Sequence, residues 1–190
     1  MRDRIKDIFL ESIRVKEEIL RNDISKIIEI TEIVIAALKK DGKVLLFGNG
    51  GSAADSQHIA AEFIGRFKKD RSALAAIALT TNTSVLSSLA NDYGYDIVFA
   101  KQVEALGKKN DVVIGISTSG KAKNVLQGIK QAKKMGLKTI ALTGGDGGDL
   151  AKAADLALLV PSNITARIQE AHITIGHAIC ELVEQMLCQE

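Results

Sequence analysis

Two strand-to-turn junctions constrain the fold of this chain more than any other feature. In the first, the apolar run at residues 43–47 is followed by the turn GNGGS at residues 48–52. In the second, the apolar run at 111–116 is followed by STSG at 117–120. Each apolar run has the length of a buried strand, and a segment with helical spacing of apolar residues follows each turn. This order predicts parallel strands joined by helices, with both turns at the carboxyl edge of one sheet.

The rest of the chain continues this alternation of strands and helices. Strands are predicted at residues 43–47, 74–79, 112–116, 138–142 and 155–160. Helices are predicted at residues 53–67, 83–91, 122–135, 148–153 and 164–187. The pattern predicts an α/β three-layer sandwich around a five-stranded parallel, flavodoxin-like sheet of order 2-1-3-4-5. Because no linker or tandem repeat interrupts it, we expect residues 1–190 to form a single domain.

Residues 1–40 precede the first strand and carry apolar residues at helical spacing, which predicts two helices. A break is expected at Asn22 and Asp23, where the second helix would take a new N-cap. The apolar stripes of these helices exceed what one small sheet can cover. We therefore expect this N-terminal helical extension to contribute to an oligomer interface.

Composition and charge argue against several classes of partner. The formal net charge is only +2, and aromatic residues make up 4% of the chain with no Trp, which disfavours nucleic acid and membrane surfaces as partners. No apolar run has the length of a membrane span, and the start of the chain alternates charged with apolar residues, unlike the continuous apolar core of a signal peptide. Cys180 and Cys188 lie eight residues apart in one helical pattern near the C-terminus, too far apart to form a disulfide. We expect free thiols and a cytoplasmic location.

Both turns offer hydroxyl groups next to the N–H groups of a helix start, which favours the binding of an anion such as phosphate. The first supplies Ser52, and the second supplies Ser117, Thr118 and Ser119. The first turn lacks the third glycine of a dinucleotide fingerprint and the Gly-Lys of a P-loop, so NAD and ATP are poor candidates. Any one of these residues alone would be an ordinary N-cap. The cluster favours a phosphosugar.

The candidate acid–base groups lie on two predicted helices. His58 and Glu62 are four residues apart, which places them on one helical face, although chance pairs of this kind are common. The last predicted helix carries His172 and His177 near Gln169. At about 100° per residue, these histidines lie roughly 60° and roughly 80° from Gln169, so helical geometry does not choose between them.

Five segments together resemble the phosphoheptose isomerases of the sugar isomerase (SIS) domain superfamily: GNGGSAADSQHIAAEFIGRF, SLANDYGYDIVFAKQVEALG, GISTSGKAKNV, ALTGGDGG and ARIQEAHITIGHAICELVE. The likeness runs from residue 43 to the end of the chain. It implies the conversion of sedoheptulose 7-phosphate to D-glycero-D-manno-heptose 7-phosphate through an enediol, early in the biosynthesis of nucleotide-activated heptose. It also implies a homotetramer with sites at subunit contacts.

The resemblance also implies a role for individual residues. Glu62 is implied as the catalytic carboxylate and His177, rather than His172, as its acid–base partner. One zinc ion per subunit is implied, with His58, Glu62, Gln169 and His177 as ligands. Substrate contacts are implied at Asn49, Gly50, Ser52, Asn91, Asp92, Ser117, Thr118, Ser119 and Gln169.

Two positions depart from the family pattern, and three alternatives stay open. Ala122 and Ala166 replace a serine and an aspartate of other members, with Lys121 and Thr165 beside them. A different aldose–ketose phosphate isomerase is therefore an alternative. A non-catalytic tetrameric adaptor of replication initiation and a sugar-sensing regulator are two others. Retention of Glu62 and His177 argues against the adaptor, and we expect no room in this chain for the DNA-binding domain that a regulator normally carries.

Overall fold

Five parallel strands form one sheet in the order β2-β1-β3-β4-β5, which confirms the predicted topology. The structure is a computed structural model that describes residues 1–188. The strands are β1 (Val44–Gly48), β2 (Ala76–Ala78), β3 (Val112–Ser117), β4 (Lys138–Gly144) and β5 (Leu156–Val160). β2 is shorter than the predicted strand at 74–79 because it lies at the edge of the sheet and pairs only with β1.

Helices cover both faces of this sheet. They are α1 (Arg2–Asn22), α2 (Ile24–Leu38), α3 (Gly51–Ile64), α4 (Thr83–Tyr93), α5 (Val98–Leu106), α6 (Lys123–Lys134), α7 (Gly148–Ala153) and α8 (Thr165–Leu187), with a short 3-10 turn at Tyr95–Ile97. The three-layer α/β sandwich is therefore confirmed. Two predictions on this list were wrong. α5 was missed, and α3 begins two residues earlier and ends three residues earlier than the predicted helix at 53–67.

The two faces of the sheet bury separate apolar clusters, because side chains alternate along each strand. Val44 and Leu46 of β1 pack among residues of α2, α3 and α8. Leu45 and Phe47 point to the opposite face, towards α5, α6 and α7. There the ring of Phe47 stacks on Phe99 of the missed helix α5, with ring centroids 4.9 Å apart. β1 is thus buried on both faces, as a central parallel strand should be.

The N-terminal helices break where the sequence indicates, but the expected cap is absent. α1 ends at Asn22, and the Asp23 carboxylate pairs with Lys26 Nζ at 2.9 Å instead of accepting a helix N–H. Val15 of α1 is buried, whereas Phe9 and Leu20 are 66% and 62% exposed. An apolar stripe of α1 therefore remains uncovered in one subunit. Its burial in an oligomer interface stays a prediction.

Both cysteines are free thiols, as expected. Burial raises the pKa of Cys180 to about 12, so this thiol stays neutral at physiological pH. None of the helices in residues 1–188 is both long and apolar enough to cross a lipid bilayer.

Candidate active site

The two predicted turns meet at the carboxyl edge of the sheet because β1 and β3 are neighbours, with Gly48 opposite Ile116. The side chains of Asn49 and Asn124 form a reciprocal amide pair, with N···O distances of 2.9 and 2.8 Å. This pair joins the turn after β1 to the start of α6. Asn124 was not predicted, since nothing in the sequence shows that an amide in one turn has a partner in another.

The first turn requires glycine at its second loop position. Gly50 has a φ of 54° and a ψ of −122°, a backbone conformation that residues with a side chain rarely adopt. The turn leads directly into α3, where Ser52 is 3% exposed and packs below the turn rather than pointing into open solvent. Ser52 therefore lies at the helix start that follows the first turn, as predicted. Its contact with a substrate stays a prediction.

The second turn forms one wall of a cavity of about 290 Å³. Lys121 contributes a positive charge to this cavity, and the Ser119 hydroxyl accepts a hydrogen bond from the Lys121 N–H at 3.2 Å. The full lining consists of Thr118, Ser119, Lys121, Gly144, Gly145, Asp146, Ser162, Asn163, Thr165 and Ile168. The hydroxyl groups and the lysine of this lining suit a phosphate group.

Three potential ligand side chains converge between α3 and α8. The Nε2 atoms of His58 and His177 are 2.9 Å apart, and His58 Nε2 is 3.4 Å from Glu62 Oε1. All three ligand atoms lie within 4.8 Å of one another. Two imidazole nitrogens and a carboxylate oxygen are common zinc donors, so these side chains fit a metal ion. They equally suit proton transfer.

Asp55 belongs to the same surroundings and was missed by the sequence analysis. Burial raises the pKa of its carboxyl group, and the nearby imidazoles of His58 and His177 oppose this shift. One of its carboxyl oxygens, Oδ2, is buried with no hydrogen-bond partner in the described chain. Its position three residues before His58 on one helix is the signal that could have found it.

Gln169 lies against the first turn of α3. A methyl group added at Gly51 would lie 2.5 Å from Gln169 Nε2, so the absence of a side chain at Gly51 makes room for this amide. The structure therefore brings Gln169 of α8 to the glycine-rich turn. Its role as a metal ligand or substrate contact stays a prediction.

His172 lies apart from this cluster, in the core. It is fully buried, and its Nε2 is 3.1 Å from the Thr143 carbonyl oxygen, to which it donates a hydrogen bond. Burial lowers the pKa of His172 to about 4, so the ring is neutral at physiological pH. The structure therefore brings His177, and not His172, to His58 and Glu62.

Within a single chain, Asn91 and Asp92 lie apart from the cluster of His58, Glu62 and His177. They lie on the exposed α4, where Asn91 Nδ2 donates to Asp92 Oδ1 at 2.8 Å. Within residues 1–188, no hydrogen bond connects either side chain to the two turns. Their role as substrate contacts also stays a prediction.

Known proteins resemble this chain along its whole length. The SIS domain family model matches residues 9–144. The phosphoheptose isomerase of Aquifex aeolicus is 54% identical over 189 residues, which cover 100% of this chain and 99% of that protein. A solved phosphoheptose isomerase from Neisseria gonorrhoeae has a TM-score of 0.92 at 46% identity, covering 97% of this chain and 98% of the other. A solved phosphoheptose isomerase from Francisella tularensis has a TM-score of 0.93 at 38% identity, covering 96% of this chain and 97% of the other.

The chain therefore belongs to the SIS domain family. Within that family it groups with the phosphoheptose isomerases, which confirms the resemblance that the five sequence segments indicate. It is a sugar phosphate isomerase by this relationship.

A methyl group at Gly51 should reduce activity without unfolding the protein. In Gly51→Ala the methyl group displaces the end of the Gln169 side chain, so we expect turnover to fall about tenfold or more. The free energy of unfolding should change by less than about 1 kcal/mol, because alanine has the higher helix propensity. Steady-state kinetics and urea unfolding measure the two effects. In a Gln169→Ala background, Gly51→Ala should reduce turnover little further. A further loss of about tenfold in that background would contradict the idea that the methyl group acts by displacing Gln169.

His172 should make stability depend on pH in the acid range. Its pKa is about 4 in the folded protein, against an ordinary 6.5 in the unfolded chain. Its contribution to the free energy of unfolding is therefore complete above pH 6.5 and is lost as the pH falls towards 4. The loss amounts to about 3 kcal/mol. We expect urea unfolding of wild type and His172→Gln to give a stability difference that shrinks by this amount between pH 7 and pH 4. Parallel pH profiles would contradict the prediction.

Proposed function

We propose that this chain converts sedoheptulose 7-phosphate to D-glycero-D-manno-heptose 7-phosphate, a step in the biosynthesis of nucleotide-activated heptose. The observation that carries the proposal is the convergence of Glu62 with His58 and His177. This cluster of three side chains lies between α3 and α8. α3 begins at the first turn, and the start of α8 lines the cavity at the second turn. An acid–base cluster and a cavity whose lining suits a phosphate group are the two parts that a phosphosugar isomerase needs.

The reaction moves two protons and needs no external oxidant. A C–H bond at C1 breaks, a C–H bond at C2 forms, and one proton passes from the oxygen on C1 to the oxygen on C2. We assign the carbon proton to Glu62, which removes it from C1 and returns it to C2 through an enediol. We assign the oxygen proton to His177, because its ring lies within reach of the same carboxylate.

Zinc is the metal that we propose for this site, one ion per subunit, held by His58, Glu62, Gln169 and His177. Bound zinc would polarise the substrate carbonyl and stabilise developing negative charge. A carboxylate that is a metal ligand is a weaker base, which is the difficulty of giving Glu62 both roles. The metal-free alternative has His58 only orienting Glu62, and the contact of 3.4 Å between them is compatible with it.

The phosphate is assigned to the second turn and the sugar to the first. Ser117, Thr118 and Ser119 would bind the phosphate, and Lys121 would supply the charge that Ala122 cannot. Asn49, Gly50, Ser52 and Gln169 would contact the sugar. Each hydrogen bond to a charged group contributes about 1.5–3 kcal/mol.

We further propose a cytoplasmic homotetramer that binds no nucleic acid and no membrane. The uncovered apolar stripe of α1 supports burial between subunits. Asn91 and Asp92 lie on α4, which has no buried residue. In the tetramer they would contact the substrate bound at the site of a neighbouring subunit.

Replacing Glu62 with Gln should abolish isomerisation in a folded protein. Loss of a general base reduces the rate by about a hundredfold to ten-thousandfold. Wild type, Glu62→Gln and the control Glu181→Gln should be assayed on ketose phosphates from pentulose to heptulose and on the unphosphorylated heptulose. We expect the heptulose phosphate to be the best substrate and Glu181→Gln to keep activity. Near-normal turnover by Glu62→Gln would refute its role, and preference for a shorter ketose would favour another isomerase.

Chelation followed by metal replacement should distinguish the zinc site from the metal-free alternative. We expect activity to fall on chelation and to return with one zinc ion per subunit. His177→Ala should then lose both zinc and turnover, whereas His172→Gln should keep both, because His172 lies in the core. Full activity of the metal-free protein, without stoichiometric zinc binding, would contradict the ligand assignment.

A further inference from the structure

A buried ion pair lies behind the candidate catalytic cluster. Arg71 Nε donates to Glu184 Oε2 at 3.0 Å, and the two side chains are only 4% and 2% exposed. Burying two charges carries a desolvation cost that their attraction does not always offset, so such a pair is weak evidence for stability. The contacts of each partner indicate a more specific role.

Arg71 holds the last turn of α3. Its Nη2 donates to the carbonyl oxygen of Glu62 at 2.9 Å, and its Nη1 donates to that of Phe63 at 2.8 Å. Carbonyl groups in the last turn of a helix lack partners within the helix, and a cation is favourable at that end of the helix dipole. The last turn of α3 has no basic residue of its own. Arg71 therefore fixes the backbone of the residue that carries the candidate catalytic carboxylate.

Glu184 holds the segment that follows α3. Its carboxylate accepts backbone N–H groups from Phe67 at 3.2 Å and from Lys68 and Lys69, each at 2.9 Å. Burial alone would raise the pKa of Glu184, but these hydrogen bonds and Arg71 lower it, so the carboxylate is charged. All of these bonds attach the segment after α3 to α8.

The same segment contacts the candidate acid–base histidine. The ring of Phe67 lies against that of His177, with centroids 5.8 Å apart. His177 and Glu184 are seven residues apart on α8, two helical turns, so they lie on the same face. One carboxylate thus anchors a backbone segment whose aromatic ring limits the movement of His177.

We propose that Arg71 and Glu184 are positioning residues, which fix Glu62 on α3 relative to His177 on α8. This inference rests on the proposed function. Neither residue touches the reacting atoms, and both act through the backbone of Glu62 and the ring of Phe67. Within residues 1–188, no hydrogen bond or ion pair joins this pair to the second turn, which follows β3 and is the proposed phosphate site. Turnover should therefore depend on the pair more than substrate binding does.

Steady-state kinetics on sedoheptulose 7-phosphate should separate these effects. In Arg71→Met and Glu184→Gln we expect kcat to fall about 10- to 100-fold, because small displacements of reacting groups have costs of that size, while KM changes less than about twofold. The loss of kcat in the double variant should be smaller than the product of the two single losses, since both changes break the same pair, although each also removes contacts of its own. Arg71→Lys keeps the charge but reaches fewer acceptors, so its loss should be intermediate, and it provides a folded variant if the others unfold.

Lys68→Met is the matched control. It breaks the exposed pair of Lys68 Nζ with Glu181, 2.6 Å apart, which joins the same two parts of the chain. Its kcat and KM should both stay within about twofold of wild type, because exposed pairs contribute little.

A second measurement is independent of turnover. The chain has three histidines, so the imidazole C–H resonances can be assigned with single His variants. At fixed pH, Arg71→Lys should shift the resonances of His58 and His177 and leave that of buried His172 unchanged. A variant with lower thermal stability, unchanged kcat per folded molecule and unshifted resonances would overturn the proposal, as would a rise in KM alone. If wild type does not isomerise the phosphosugar, the proposed function fails, and the resonances alone decide whether the pair positions His177.

Discussion

The parallel pairing of β1 with β3 is the constraint on which the rest of the site depends. Because the two strands run side by side in register, the chain leaves both at the same edge of the sheet. The turns that follow therefore lie together, and the Asn49–Asn124 amide pair joins them. α3 and α6 begin there, so two helix N-termini are available to one anionic ligand. Both turns of the candidate site owe their positions to this arrangement.

The packing of α8 against α3 completes the site. A methyl group at Gly176 would lie 2.6 Å from Ile59 Cδ1, so glycine permits a close approach of the two helices next to His177. At that point the imidazole of His177 comes within 2.9 Å of the His58 imidazole. The Arg71–Glu184 pair lies further along the same contact and links the end of α3 to α8. The proposed phosphate site and the proposed acid–base cluster thus have separate structural supports.

The sequence predicted the features that depend on local periodicity. Buried strands followed by glycine or serine turns gave the sheet order, and the spacing of His58 and Glu62 placed both on one helical face. α5 was missed because only a short 3-10 turn, and no strand, separates it from α4. The end of α3 was predicted too late, because Gly65 ends the helix and the following backbone bonds Glu184 instead. Such an ending depends on a carboxylate more than a hundred residues away.

By itself the sequence determined the fold class, the two turns and the family, since each follows from short-range patterns and from segments shared with relatives. It left His172 and His177 equivalent by helical geometry, and only the family resemblance distinguished them. The tertiary structure separated them physically, because α8 turns His172 into the core against Thr143 and His177 towards α3. It alone brought Arg71 to Glu184 and Asn49 to Asn124. Contacts of this kind join distant parts of the chain, and no local pattern encodes which distant polar groups become neighbours.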